Sequence, residues 1–353
     1  MTDAWQIAAA IRGGSTCAVD TVSEALQQIA AVDDGIGAFT VVIAEAAMAQ
    51  AAEVDRGERT GPLAGVPISV KDHVWARGLP ATNGSRALAD FLAPEDCVCV
   101  SRLVAAGAVI VGKTNNPEFC YRGITDNELY GLTRNPVDPT RTTGGSSGGA
   151  AASVAAGMVA LAIGTDGGGS IRIPSAFCGT YGLKPSFGLV PKMPGFRGWP
   201  TLSVTGPIAA SVHDLALALS VMAGPSRLDA LSYPAPPADY LAALDSPSWD
   251  GLRVAVSDDL GIADVDPDVR ASFRAAIDAI SDAGAHLTTA HPEPVDPTAL
   301  WDSIALPEGY ASEGPLVEAN PELVGSDAKA IVLAGAGFSA QQYLDSQQER
   351  TTY

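Results

Sequence analysis

Apolar residues recur every three to four positions through "TVSEALQQIAAV" (21–32) and "IAEAAMAQAAEVDRG" (43–57), with Gln, Glu and Asp between them. That spacing puts one apolar stripe on a 3.6-residue period and predicts amphipathic helices across residues 1–60. The opening "MTDAWQIAAAIRGGS" has the same spacing and no basic n-region, so it reads as helix rather than a secretory leader. The period then changes. After the turn "RTGPLAGVP", "ISVKDHV" (68–74) predicts a short buried strand ending on a lysine, and "AVIVGKT" (108–114) is strand by its β-branched run. Between them "DCVCVSRLVAAG" (96–107) predicts a helix stopped by Gly107. A helix at 148–156, a strand at 158–163 and the helix "SVHDLALALSVMAG" (211–224) follow, with Pro/Gly-rich loops after residue 185.

Past a Pro/Ser-rich connector at 233–248, "GLRVAVSDD" (strand), "DPDVRASFRAAIDAISDAG" (helix) and "AHLTTAHP" (285–292, strand) predict that an α/β layer continues. The final "FSAQQYLDSQQERTTY" is helical in pattern, with neither cap nor closing strand, as though interrupted mid-element. No tandem repeat is visible, and no apolar run approaches the roughly 18 residues that span a bilayer.

Composition narrows the class. The 353 residues are 47% apolar and 17% charged, which suits a globular chain with a large core. A net charge of −19 argues against a nucleic-acid partner, which needs a basic face. Five scattered cysteines (Cys17, Cys97, Cys99, Cys120, Cys178) and no leader point to reduced thiols and a cytoplasmic location. Cys97 and Cys99 with His73 upstream fit no common zinc spacing, so no metal is expected. Only five lysines stand against sixteen arginines, and four of them (Lys71, Lys113, Lys184, Lys192) fall between 71 and 192.

Two catalytic patterns fail on context. "GAVIVGKT" (107–114) satisfies the phosphate-loop spacing, but its Ala-Val-Ile-Val wants to be strand and a proline follows where a helix should begin. "GGSSG" (144–148) satisfies the nucleophile-elbow spacing, with His213, His286 and His291 downstream, but a proline-rich loop precedes it rather than a strand. Two other segments fit their surroundings. "GTDGGGS" (164–170) follows the apolar "VALAI", and three glycines leave backbone N–H groups unshielded beside Ser170. Lys71, after the apolar "GVPISV", is set for burial, which lowers a lysine pKa and makes it a candidate base. Each segment alone has a plain structural reading: a tight turn, or a lysine paired with Asp72. Together, two glycine-bracketed serines and one apolar-flanked lysine supply a Ser–Lys relay with a second serine passing the proton.

These segments resemble the amidase signature family: "GVPISVKD" (65–72), "GKTNNPEF" (112–119), "GLTRNPVDPTRTTGGSSGG" (131–149) and "GTDGGGSIRIPSAFCGTYGLKPS" (164–186). The likeness is dense from about 61 to 224 and loose beyond. It implies one α/β/α domain around a large mixed sheet over 1–353: N-terminal helices to 60, a signature core from 61 to 224, and a peripheral α/β part from 245, shortened at the C-terminus. It also implies a Ser–cis-Ser–Lys triad of Ser170 as nucleophile, Ser146 as bridge and Lys71 as base. The N–H groups of Gly167, Gly168, Gly169 and Ser170 would form the oxyanion hole, and Thr165, Asp166 and Arg172 would order the loop. Phe119, Tyr121 and Trp199 fall where the family lines its substrate cleft, although core packing accounts for each equally well. His73 stands where asparagine is common and reads as a neutral variation. The implied function is a cofactor-free amidohydrolase acting on a small-molecule carboxamide, with no membrane partner and compatible with a homodimer. The alternatives are the amidase component of a tRNA-dependent amidotransferase, an inactive shortened chain, or an esterase that depends on a histidine.

Overall fold

In the computed structural model, which describes residues 2–234, 238–245, 248–291, 293 and 296–353, the change of period near residue 60 separates a helical entry from a sheet. Helices α1 (Ala4–Arg12) and α2 (Ala18–Ile36) precede strand β1 (Phe39–Val42) and helix α3 (Ala44–Asp55). β1 corrects the all-helical reading of this region: "FTVV" is too short to stand out between two strong helical patterns. Next come β2 (Pro67–Lys71), α4 (Val98–Ala105), β3 (Val109–Thr114), α5 (Gly148–Ala155), β4 (Leu161–Asp166) and α6 (Arg172–Cys178). Strands β5 (Tyr181–Gly182) and β6 (Val204–Ala209) and helix α7 (Val212–Met222) complete this run. β6 lay hidden in the expected loops because "VTGPIA" contains a glycine and a proline. Pro207 lacks a ladder donor, yet its carbonyl still accepts the Leu183 N–H at 3.1 Å.

The six strands form a mixed sheet in the order β1-β3-β2-β4-β6-β5. β2 runs parallel to both β3 and β4, while β1 and β6 close onto them antiparallel. Side chains leave the sheet on alternate faces. Ile68, Val70, Ile110, Leu161 and Ile163 pack with α1, α4 and α7, and Val109, Val111 and Ala162 pack with α2, α3 and α5. This is the α/β/α layering the sequence implied, and coverage of both faces explains the nearly unbroken apolar strands. Each fully buried aliphatic side chain contributes about 1.5–3 kcal/mol. The parallel strands also bring their C-terminal ends, Lys71, Thr114 and Asp166, to one edge of the sheet, where open α/β folds bind ligands.

Two compact units account for the chain: residues 1–241 with 305–338, and residues 242–304 with 339–353. The smaller unit holds β7 (Arg253–Val256), α8 (Pro267–Asp282) and β8 (His286–Thr289), and among the described residues β7 and β8 pair in parallel with each other alone. The alternation beyond residue 245 therefore makes its own two-stranded sheet and does not extend the main one. Of the expected connector, residues 235–237 and 246–247 lie outside the described residues, as does Pro292 at the end of the expected strand 285–292. Helices α9 (Thr298–Ala319), α10 (Ser326–Ala334) and α11 (Ala340–Glu349) complete the chain. Sequence periodicity gave no sign of α9, which contains Pro307 and Pro315, each removing a backbone donor. Among the described residues, no helix is long and apolar enough to cross a membrane.

Candidate active site

β2 carries Lys71 to the sheet edge with its side chain fully buried. Its ammonium donates to Ser146 Oγ (2.8 Å), Ser147 Oγ (3.0 Å) and Thr165 Oγ1 (2.8 Å). Burial pushes the lysine pKa below its ordinary value, against a smaller upward pull from Cys120, Asp166 and Asp72.

The serine turn is fixed from several sides. The Gly145–Ser146 peptide bond is cis. Thr125 Oγ1 donates to the Gly144 carbonyl (3.0 Å) and accepts the Gly148 N–H (3.1 Å), bracing the turn as it enters α5. A Cβ at Gly149 would lie 2.5 Å from both the Ala38 carbonyl oxygen and the Asn115 nitrogen, so only glycine lets α5 start this close to the sheet. Ser147 Oγ donates to the Thr165 carbonyl (3.1 Å) and accepts the Thr165 N–H (3.2 Å), joining the turn to β4.

Beyond β4 the chain loops through Ser170. Asp166, fully buried, accepts the N–H groups of Gly169 (2.7 Å) and Ile171 (3.1 Å). It also takes both prongs of Arg172, each at 2.9 Å. Burial alone would raise this carboxyl, but Arg172 and the two N–H donors outweigh it and hold the pKa below the ordinary value. Gly169 adopts φ +122°, a region closed to side-chain-bearing residues. Its N–H is committed to Asp166, which corrects the expectation that four N–H groups here stand ready for an oxyanion. Those of Gly167, Gly168 and Ser170 make no hydrogen bond among the described residues.

Ser146, Ser170, Thr165 and Gly167 line one cleft, walled by His73, Trp75, Tyr121, Phe196 and Trp199. Tyr121 and Trp199 stack with centroids 5.1 Å apart. Phe119 also reaches the cleft, but most of it packs with Val317, Val324 and Ala328.

Several groups here were not singled out by sequence. Glu313 and Glu308 on α9 are buried: Tyr121 and Ser312 donate to Glu313, and Thr201 donates to Glu308. Lys192, notable only as a scarce lysine, donates to the carbonyls of Trp199 (3.1 Å), Pro200 (3.0 Å) and Ser203 (3.1 Å), pinning one cleft wall. Lys113 donates to the carbonyls of Asp72 (3.0 Å), Val74 (2.8 Å) and Pro80 (2.9 Å). That is the lysine of the phosphate-loop pattern, and it is held inside the core at the end of a strand. His213 packs at a tilt against Trp5, while His286 and His291 belong to the smaller unit, and none of the three lines the cleft. All five cysteines are free thiols, and no cluster of three or more His, Cys, Asp or Glu suited to a metal occurs among the described residues.

A sheet of this order, with a buried lysine and two serine turns at its C-terminal edge, is the scaffold of an amidase signature hydrolase. A solved bacterial aryl acylamidase of the amidase signature enzymes superposes with a TM-score of 0.91 at 31% identity, covering 99% of this chain and 76% of its own. The chain belongs to the amidase family, whose model matches residues 20–321. It is 42% identical over 323 residues to an acylamidase of Rhodococcus erythropolis, covering 89% of this chain and 67% of that protein. It is 43% identical over 283 residues to a glutamyl-tRNA(Gln) amidotransferase subunit of Chloroflexus aurantiacus, covering 79% of this chain. The chain spans 58% of the length of that Chloroflexus protein.

Proposed function

We propose that the protein hydrolyses carboxamides through an acyl-serine intermediate, with Ser170 as nucleophile, Ser146 as proton bridge and Lys71 as base. The observation that carries this reading is the 2.8 Å hydrogen bond from a fully buried Lys71 to Ser146 at the floor of the cleft that Ser170 lines. In the working form Lys71 is neutral, which its burial favours. Lys71 takes the Ser146 proton as Ser146 takes that of Ser170, and Ser170 Oγ attacks the amide carbonyl. The N–H groups of Gly167, Gly168 and Ser170 receive the developing oxyanion, while Gly169 supplies the left-handed turn that aims them. The relay returns a proton to the leaving amine, and water cleaves the ester by the same route.

A fluorophosphonate probe tests the assignment. Modification should map to Ser170 by mass spectrometry and collapse in Ser170→Ala and Lys71→Ala. Labelling that persists in Lys71→Ala, or that falls on another serine, overturns it. The 43% identity to the Chloroflexus protein favours a second reading, the amidase component of an amidotransferase. Ammonia release from glutamine that appears only with a partner protein would select that reading.

A further inference from the structure

The cleft holds a side-chain acceptor that the relay does not use. His73, two residues beyond Lys71, lines the cleft with its ring 5.5 Å from that of Phe196. Its backbone N–H donates to Asn116 Oδ1 (3.1 Å), and its Nδ1 lies 2.9 Å from Asn83 Oδ1. That oxygen also accepts the Cys120 thiol (3.5 Å), so Nδ1 is the donor and Nε2 keeps the lone pair. Nε2 has no hydrogen-bond partner among the described residues. Main-chain and side-chain bonds thus aim a fixed imidazole with one unspent acceptor.

Charge decides what this acceptor suits. Burial, helped by the nearby Lys71, lowers the His73 pKa to about 4, so the ring is neutral at ordinary pH. Glu313 is close enough for its charge to act on His73. A neutral acceptor beside a glutamate favours a hydroxyl or N–H donor and disfavours a carboxylate. The flanking Trp75 and Phe196, edge to face at 5.6 Å, favour a planar ring as its carrier.

We propose that His73 is a specificity-determining residue whose Nε2 accepts a hydrogen bond from a hydroxyl or N–H donor on the planar group the substrate lodges in this cleft. The inference rests on the amidohydrolase reading and makes its preferred substrates donor-bearing aromatic amides. His73 is then more than a neutral replacement for asparagine.

The test is binding to the Ser170→Ala protein, which separates recognition from turnover. Acetanilide, benzamide and the ortho-, meta- and para-hydroxy derivatives of each are titrated calorimetrically. At least one hydroxylated isomer should bind about five- to tenfold tighter than its parent, as one hydrogen bond warrants. Adding His73→Phe should reduce that ratio below about twofold while the parent amide still binds. His73→Ala is measured in parallel, so that one folded variant by circular dichroism decides. A gain that survives removal of the imidazole, no gain in any isomer, or no binding in either series overturns the proposal. Failure of the amidohydrolase reading registers separately, as absence of probe labelling at Ser170 in the parent protein.

Discussion

The Ser147 N–H donates to the main-chain carbonyl of Ser170 across 3.1 Å, tying the turn that presents Ser146 to the loop that carries Ser170. The Ser147 hydroxyl also accepts from Lys71. Ser147→Ala keeps the first link and removes the second, together with both Ser147 Oγ bonds to Thr165. The Ser147 hydroxyl would stabilise the ammonium that Lys71 becomes on taking the proton, and a hydrogen bond to a charged group is worth about 1.5–3 kcal/mol, so kcat should fall roughly ten- to hundredfold. KM should hold, and steady-state kinetics with the rate of Ser170 labelling would check both.

Arg172 fixes the acid side of stability through Asp166. The folded pKa of Asp166 is depressed, so its contribution is present above the unfolded value near 3.8 and is lost as pH falls through the lower folded one. Arg172→Met removes the bidentate partner and should move the acid unfolding midpoint upward, as followed by tryptophan fluorescence. With about half of the Arg172 side chain exposed and screened by water, the loss at neutral pH should be modest, about 1–2 kcal/mol.

Lys113 acts on the alkaline side. Burial lowers its pKa to about 8 from an ordinary 10.5. Between these values the folded chain has released a proton that the unfolded chain still holds, so this group makes stability rise with pH across that window. Lys113→Met should flatten the rise in urea midpoint between pH 8 and pH 10 relative to the parent. Lys192, also lowered to about 8, contributes equally to both proteins.

Tyr121 serves two neighbours, stacking on Trp199 and donating to buried Glu313. Tyr121→Phe keeps the stack and strips one donor from a carboxylate that burial already pushes toward its neutral form. About 1–3 kcal/mol of stability should go with it, read from thermal melts. KM should rise more than kcat falls, because the cleft wall loosens while the relay stays intact.

What the sequence disclosed was local. Lys71 follows an apolar run, and the serines sit in glycine frames, so both carry their own context within a few residues. Of the six-stranded layer, β2, β3 and β4 were visible in their apolar runs, while β1, β5 and β6 were not. Glu308 and Glu313 reach the cleft region from more than a hundred residues away, on a helix whose two prolines and two glycines imitate a loop. Gly169 reads as an oxyanion donor because a sequence cannot say which N–H Asp166 will claim. His73 was noticed, but its use depends on Asn83, held at φ 50° ten residues on.

Lys71 meets three hydroxyls, and no carboxylate hydrogen-bonds to it among the described residues. In the proposed relay the proton moves among buried groups deep in the sheet edge, with no carboxylate ion pair at Lys71 for dissolved salt to loosen. Mobile ions screen exposed charges within about 10 Å at about 0.1 M and reach buried ones far less. Turnover should therefore be nearly indifferent to sodium chloride from about 0.05 to about 1 M, provided the substrate is neutral. Such a centre would work as well in brine as in dilute buffer.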